Sequence, residues 1–171
     1  MKKLAAVLLV VFFGTLGPTG AAPLSAEGIS VYFSPNGGTR DKIISRINLA
    51  RKSIKIAIYS LTSGEITWAL ENAKKRGVEI KVVADYSQSK GKHSEIPYLI
   101  NKGFKVKVIK GKGRGIMHNK FAVFDDQEVA TGSYNWTENA EQNNYENALF
   151  LKGTQIVSAF SREFDLLYDR P

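Results

Sequence analysis

Residues Gly115–Asn135 read GIMHNKFAVFDDQEVATGSYN, and the rest of the chain is understood outward from them. Two apolar stretches, His118–Asp125 and Glu128–Asn135, flank the polar pair Asp126-Gln127, which is the pattern of two antiparallel strands around a tight turn. Alternation along a strand puts His118 and Lys120 on one face with Ala122 and Phe124, and turns Asp125 to the other. With the turn centred between Asp126 and Gln127, opposed residues sum to 253. Lys120 then faces Ser133 and His118 faces Asn135, in pairs that share a face about 5 Å apart. Gly132 lets backbone or ligand approach closely. A slip of one residue would disperse the patch, because it flips the face.

The residue types in this patch have a common chemistry. Histidine serves as nucleophile or as general acid and base near neutral pH, lysine supplies positive charge to phosphate oxygens, and serine and asparagine add neutral donors. The carboxylate and histidine clustering of a metal centre is missing from the pattern. Metal-free phosphoryl transfer is the natural outcome, and no cofactor is expected. His-x-Lys on its own is more simply a packed histidine beside a lysine reaching back to water, so the wider chain has to decide.

Upstream, the periodicity alternates. ISVYFSP, IKIAIYSLT, EIKVVADYS and FKVKVIKG read as strands; TRDKIISRINLARKS and GEITWALENAKKRG read as helices, and HSEIPYLINKG as a short one. Downstream, YENALFLKG is one more strand and TQIVSAFSREFDLLYDR a closing amphipathic helix. The order β-α-β-α-β-α-β followed by a hairpin predicts one α/β domain, residues 27–171, with a mixed, largely parallel β-sheet and helices on both faces. At 171 residues no second domain is required.

Two lysines followed by an apolar run and small residues open the chain, MKKLAAVLLVVFFGTLGPTGAAPLSA, and have the anatomy of a secretory signal over residues 1–26, cut after Ala22 or after Ala26. A retained membrane anchor is the other reading, although the run is short for a bilayer span. The chain is thus expected outside the cytoplasm, secreted or periplasmic. It has no cysteine, so disulfides and thiolate metal sites are excluded. Net charge is +8, and +6 once Lys2 and Lys3 leave with the signal. Between Lys90 and Lys120 nine basic residues stand against one acid, Glu95, a density that points to a phosphate-bearing partner, nucleic acid or an anionic lipid surface.

The longer spacing is specific. His118-x-Lys120, four residues, Asp125, six residues, then Gly132-Ser133-x-Asn135 resembles the HKD motif of the phospholipase D superfamily. The continuation Asn143-Asn144-Tyr145-Glu146-Asn147-Ala148 looks like that of the small single-motif bacterial endonucleases of that superfamily. The resemblance implies a sandwich of that family's kind and a phosphodiesterase acting through a covalent phosphohistidine on His118. Lys120 would bind the phosphate, Ser133 and Asn135 would steady it, and Glu146 would orient the histidine ring. Asp125, off the reactive face by parity, and Gly132 take supporting roles. The family mechanism needs two histidines and this chain has one His-x-Lys; His93 lies in Lys92-His93-Ser94 without motif context. A homodimer with the site at its interface is therefore expected.

The substrate stays open between nucleic acid, DNA and also RNA, and phospholipid. Lys105, Lys107, Lys110, Lys112 and Arg114 are the candidate backbone-binding residues, with Tyr134 and Trp136 as candidate base-stacking groups. A non-specific endonuclease comes first, a phospholipase D or cardiolipin-type lipid hydrolase second, and a surface nucleic-acid-binding protein for DNA uptake third. The intact His118, Lys120, Ser133 and Asn135 speak against the third, since binding alone needs charge and no particular histidine.

Overall fold

The structure, a computed structural model, describes residues 24–170. Most of the predicted signal, including the cut after Ala22, lies outside the described residues; a cut after Ala26 would remove the first strand, β1 (Leu24–Ala26).

The remaining strands are β2 (Ile29–Ser34), β3 (Ser53–Ile58), β4 (Glu79–Asp85), β5 (Lys105–Ile109), β6 (Lys120–Phe124), β7 (Glu128–Gly132) and β8 (Glu146–Lys152). They form one sheet in the order β1-β2-β8-β7-β6-β3-β4-β5. Only the β3-β4 and β4-β5 pairs are parallel. Following the pairings across the sheet, β2, β3, β4, β5 and β7 run one way and β1, β6 and β8 the other. The sheet is mixed, as expected. The difference lies in β2: it does not open the parallel set but crosses over to pair with β8, and the hairpin β6-β7 together with β8 fills the gap between β2 and β3.

Helices α1 (Thr39–Leu49), α2 (Gly64–Lys75) and α3 (Ile96–Asn101) cover one face. The β-branched run in β3 explains the packing: Ile54, Ile56 and Ile58 point the same way and meet Ile43 and Ile47 of α1 and Ile66 and Leu70 of α2. Ser63 caps α2, its hydroxyl accepting from the Ile66 amide. A short helix α4 (Glu138–Gln142) follows the hairpin. The long helix α5 (Thr154–Tyr168) covers the other face, seating Val157, Phe164 and Leu167 on Ala57, Val83, Phe121 and Val129.

These strand directions have one consequence for function. The C-terminal ends of β2, β3, β4, β5 and β7 and the N-terminal ends of β6 and β8 share one end of the sheet: Ile58 pairs with Lys120, Asp85 with Ile109, Ser34 with Glu146. Open α/β sheets present their ligand sites at the carboxyl ends of their parallel strands.

Candidate active site

The hairpin differs in detail from its sequence pattern. Opposed residues sum to 252, with Phe121 facing Thr131 and Phe124 facing Glu128, so the register sits one residue from the expected 253. The cause is the turn. Asp125 and Asp126 both take positive φ, 54° and 53°, and the Gln127 amide donates to the Phe124 carbonyl at 2.9 Å, as in a primed turn centred one residue earlier. Carried along the strands, this register alone would place Ser133 on the wrong face.

A bulge restores it. The amides of Ser133 and Tyr134 both donate to the carbonyl of Asn147, at 3.1 and 3.3 Å, so two residues of one chain segment oppose a single one. Gly132 permits the approach: a Cβ there would lie 2.2 Å from the Asn147 carbonyl oxygen. Within the bulge the Ser133 hydroxyl donates to Glu146 Oε2 at 2.5 Å and accepts from the Asn147 amide at 3.1 Å. Glu146 Oε1 accepts from Asn144 Nδ2 at 3.1 Å.

His118 and Lys120 meet this group from β6. His118 precedes the strand and is exposed, while Lys120 is its first residue and half-buried. Lys120 Nζ donates to the His118 carbonyl at 2.9 Å. Burial pushes the Lys120 ammonium below the ordinary lysine range, and the Glu146 carboxylate nearby works against that shift. Glu146 therefore touches Ser133 and Asn144 within the chain and faces Lys120 electrostatically, and it makes no hydrogen bond to His118.

Two residues that the sequence pattern did not single out hold the histidine. The Tyr59 ring, at the end of β3, packs edge-on against the His118 ring with centroids 4.5 Å apart, and Lys120 Nζ lies 4.9 Å from the centre of the same tyrosine. Asp85, at the end of β4 and 1% exposed, accepts on Oδ1 from the amides of Ser87 and Gln88 and from the Ser87 hydroxyl, and on Oδ2 from the Met117 amide at 3.0 Å. Burial alone would raise its carboxyl, but these hydrogen bonds outweigh it and hold the group below the usual carboxylate range. Met117 is the residue before His118, so Asp85 fixes the approach of the chain to the histidine. Asp85 ends the parallel strand β4 and Tyr59 directly follows the parallel strand β3, the one signal in sequence that could have marked them.

The other candidates divide. Asn135 is brought to the same sheet end because Trp136, next to it, donates its amide to the Ser60 carbonyl. Its Oδ1 is buried without a partner, and no hydrogen bond joins its side chain to the other four. Asp125 lies in the turn at the far end of the hairpin, where its carboxylate accepts from the amides of Arg51, Lys52 and Ser53 at 2.7 to 2.9 Å and ties the entry of β3. Tyr134 and Trp136 are each 3% exposed, which removes them as base-stacking groups; both belong to the core, and the Tyr134 hydroxyl donates to Glu141. Lys105 also leaves the candidate surface, since it lies at the opposite end of the sheet, paired with Glu79 at 2.7 Å. Lys107 donates to the Arg170 carbonyl; Lys110, Lys112 and Arg114 follow β5 as exposed or nearly exposed groups leading to His118. His93 is exposed on the loop before α3.

Residues 43–168 match the family model described as "Cardiolipin synthase, PLD-like domain", which spans most of the chain. The chain belongs to the phospholipase D superfamily. It is 34% identical over 137 residues to a phospholipase D of Rickettsia bellii, a match that covers 80% of this chain and 67% of that protein. Among solved structures it is similar to Nuc of Salmonella typhimurium, a phospholipase D family member, at a TM-score of 0.76 and 33% identity over 82% of this chain and 93% of that one. NucT of Helicobacter pylori gives a TM-score of 0.73 and 36% identity over 81% of this chain and 94% of that one. Phosphodiester hydrolysis is the reaction of this phospholipase D-like chain, and the residues that match the family model include His118 and Lys120.

Proposed function

We propose that the protein is a metal-independent endonuclease that cleaves DNA, and RNA as well, without sequence preference, through a covalent phosphohistidine on His118. The observation that carries this reading is the approach to the histidine: Lys110, Lys112 and Arg114, none of them in an ion pair among the described residues, lead along the chain to His118, beside the partly desolvated Lys120. Positive charge along a groove tracks a phosphate backbone and reads no bases.

In the proposed reaction a ring nitrogen of His118 forms a bond to phosphorus, the bond from phosphorus to the leaving oxygen breaks, and that oxygen takes a proton from a second histidine. Water, deprotonated by the second histidine, then attacks phosphorus and releases His118. Lys120 neutralises the phosphate oxygens throughout, and Tyr59 and Asp85 hold the nucleophile in place. The second histidine is assigned to His118 of a second copy, in an isologous dimer. Apolar groups at the rim support this. Tyr145, beside Glu146, is 94% exposed and Ile116, two residues before His118, is 49% exposed. Export from the cytoplasm, suggested by the predicted signal, is part of the same proposal and is checked by fractionating cells that express the full chain.

Hydrolysis of phospholipid is the second reading, favoured by the likeness to a phospholipase D. Among the described residues no helix is long and apolar enough to cross a membrane. The test is a substrate panel in EDTA: single-stranded DNA, duplex DNA, RNA and anionic vesicles, each with the unaltered protein and with His118→Ala. Cleavage of nucleic acid by the unaltered protein alone is the expected result. Hydrolysis confined to the vesicles, or cleavage that needs added magnesium, would overturn the proposal.

A further inference from the structure

A second cationic site lies on the same end of the sheet, apart from the histidine. Tyr86 follows directly on β4, its amide donating to the Ile109 carbonyl at the end of β5 at 2.8 Å, and the residue is 39% exposed. Lys90 sets its ammonium 3.9 Å from the centre of that ring and 2.5 Å from the hydroxyl. Lys110 sets a second ammonium 4.5 Å from the same centre. Neither lysine is in an ion pair among the described residues. An open cleft of about 620 Å³ adjoins them, lined by Tyr86 and Lys110 together with Lys107 and Arg170. One tyrosine thus gathers two like charges that would otherwise separate, and its hydroxyl is held below the ordinary tyrosine range by the Lys90 hydrogen bond and by both lysine charges.

We infer that Tyr86, Lys90 and Lys110 form a phosphate-binding subsite for the substrate strand, engaging a phosphate group flanking the one that is cut. A phosphate between the two ammonium groups relieves their mutual repulsion and accepts hydrogen bonds from both. The site connects with the reactive centre through Gln88, whose side-chain amide donates to the Tyr59 hydroxyl at 3.1 Å, and Tyr59 packs on His118. From β6, which His118 precedes, to β4, which Tyr86 follows, is two strand spacings, ~10 Å, which a stacked strand rising ~3.4 Å per nucleotide covers in about three nucleotides. The subsite therefore makes cleavage depend on substrate length. It rests on the nuclease reading, and a single strand is favoured over a bilayer because the cluster lies in a cleft instead of on a flat apolar surface.

The experiment compares the unaltered chain, the variant Lys90→Ala and the variant Lys90→Arg on three substrates: a small chromogenic phosphodiester, a dinucleotide and a single strand of ~12 nucleotides. In the alanine variant KM for the long strand rises about fivefold with kcat unchanged, and the slope of log affinity against log salt becomes shallower by about 0.7. The two short substrates are cut as before, and the arginine variant keeps the affinity for the long strand. An unchanged KM for the long strand, or an equal loss on all three substrates, overturns the subsite. So does weaker hydrolysis of anionic vesicles with the strand unaffected, which would make the cluster a membrane contact. If the unaltered protein hydrolyses the small diester and leaves the strand whole, the nuclease reading itself falls and the subsite with it.

Discussion

At the scale of single residues, His118 is held by an aromatic ring and a backbone anchor; no hydrogen bond or ion pair to its ring occurs among the described residues. Tyr59 thus limits the ring's rotation by packing, and Tyr59→Ala should lower kcat by about tenfold to a hundredfold through loss of positioning, while Tyr59→Phe, which keeps the ring and loses only the bond to Gln88, should retain most of it. The check is steady-state kinetics on a small diester with both variants. Lys120 makes a prediction about pH. Its ammonium is held below the ordinary lysine range by burial, so the proton leaves as pH rises through a value lower than that of a free lysine. The alkaline fall of kcat/KM should accordingly come at a lower pH than for a free lysine, and Lys120→Arg should move that fall upward or remove it.

At the scale of elements, the hairpin depends on two features at its ends. At the turn, Asp125 accepts three backbone hydrogen bonds that outweigh its burial and depress its carboxyl. A group with a depressed folded-state value contributes stability that is present above the unfolded value, near ~3.9, and is lost as pH falls through the folded one. Asp125→Asn should cost about 1–3 kcal/mol at neutral pH, and the gap from the unaltered protein should close below about pH 4, as read from denaturant midpoints. At the other end, Gly132→Ala drives a Cβ into the Asn147 carbonyl and should displace Ser133 from Glu146, with loss of both stability and kcat.

The hairpin also shows what was legible in the sequence. Strand identity, the turn's place within a residue, and the grouping of His118 and Lys120 followed from alternation and spacing. The register did not, because Asp-Asp carries no glycine to announce a primed turn, and the bulge at Ser133–Tyr134 has no two-residue signature. The two deviations offset one another, which is why a wrong register still gathered Ser133 with Lys120. Tyr59 and Asp85 were missed for a different reason: they arrive from strands more than thirty residues upstream of His118, and only the sheet order brings them there.

At the scale of the whole molecule, the sheet collects the ends of seven strands at one end and brings one histidine of the His-x-Lys pattern, His118, to it. β2 escapes the simple β-α-β pattern because the partner that fits its edge, β8, comes more than a hundred residues later. If the reaction takes two histidines, activity belongs to a pair of chains. Sedimentation at micromolar concentration should show a dimer, and mixing His118→Ala with unaltered chains should give hybrids whose activity falls well below half that of the unaltered dimer. The most direct test is to look for the covalent intermediate. The enzyme is mixed with a single-stranded oligonucleotide, quenched rapidly under alkaline conditions that preserve a phosphorus–nitrogen bond, digested and weighed by mass spectrometry. A nucleotide adduct on the peptide carrying His118, absent from His118→Ala, is the result expected; strand cleavage that persists in His118→Ala, with no adduct on the unaltered protein, would contradict it.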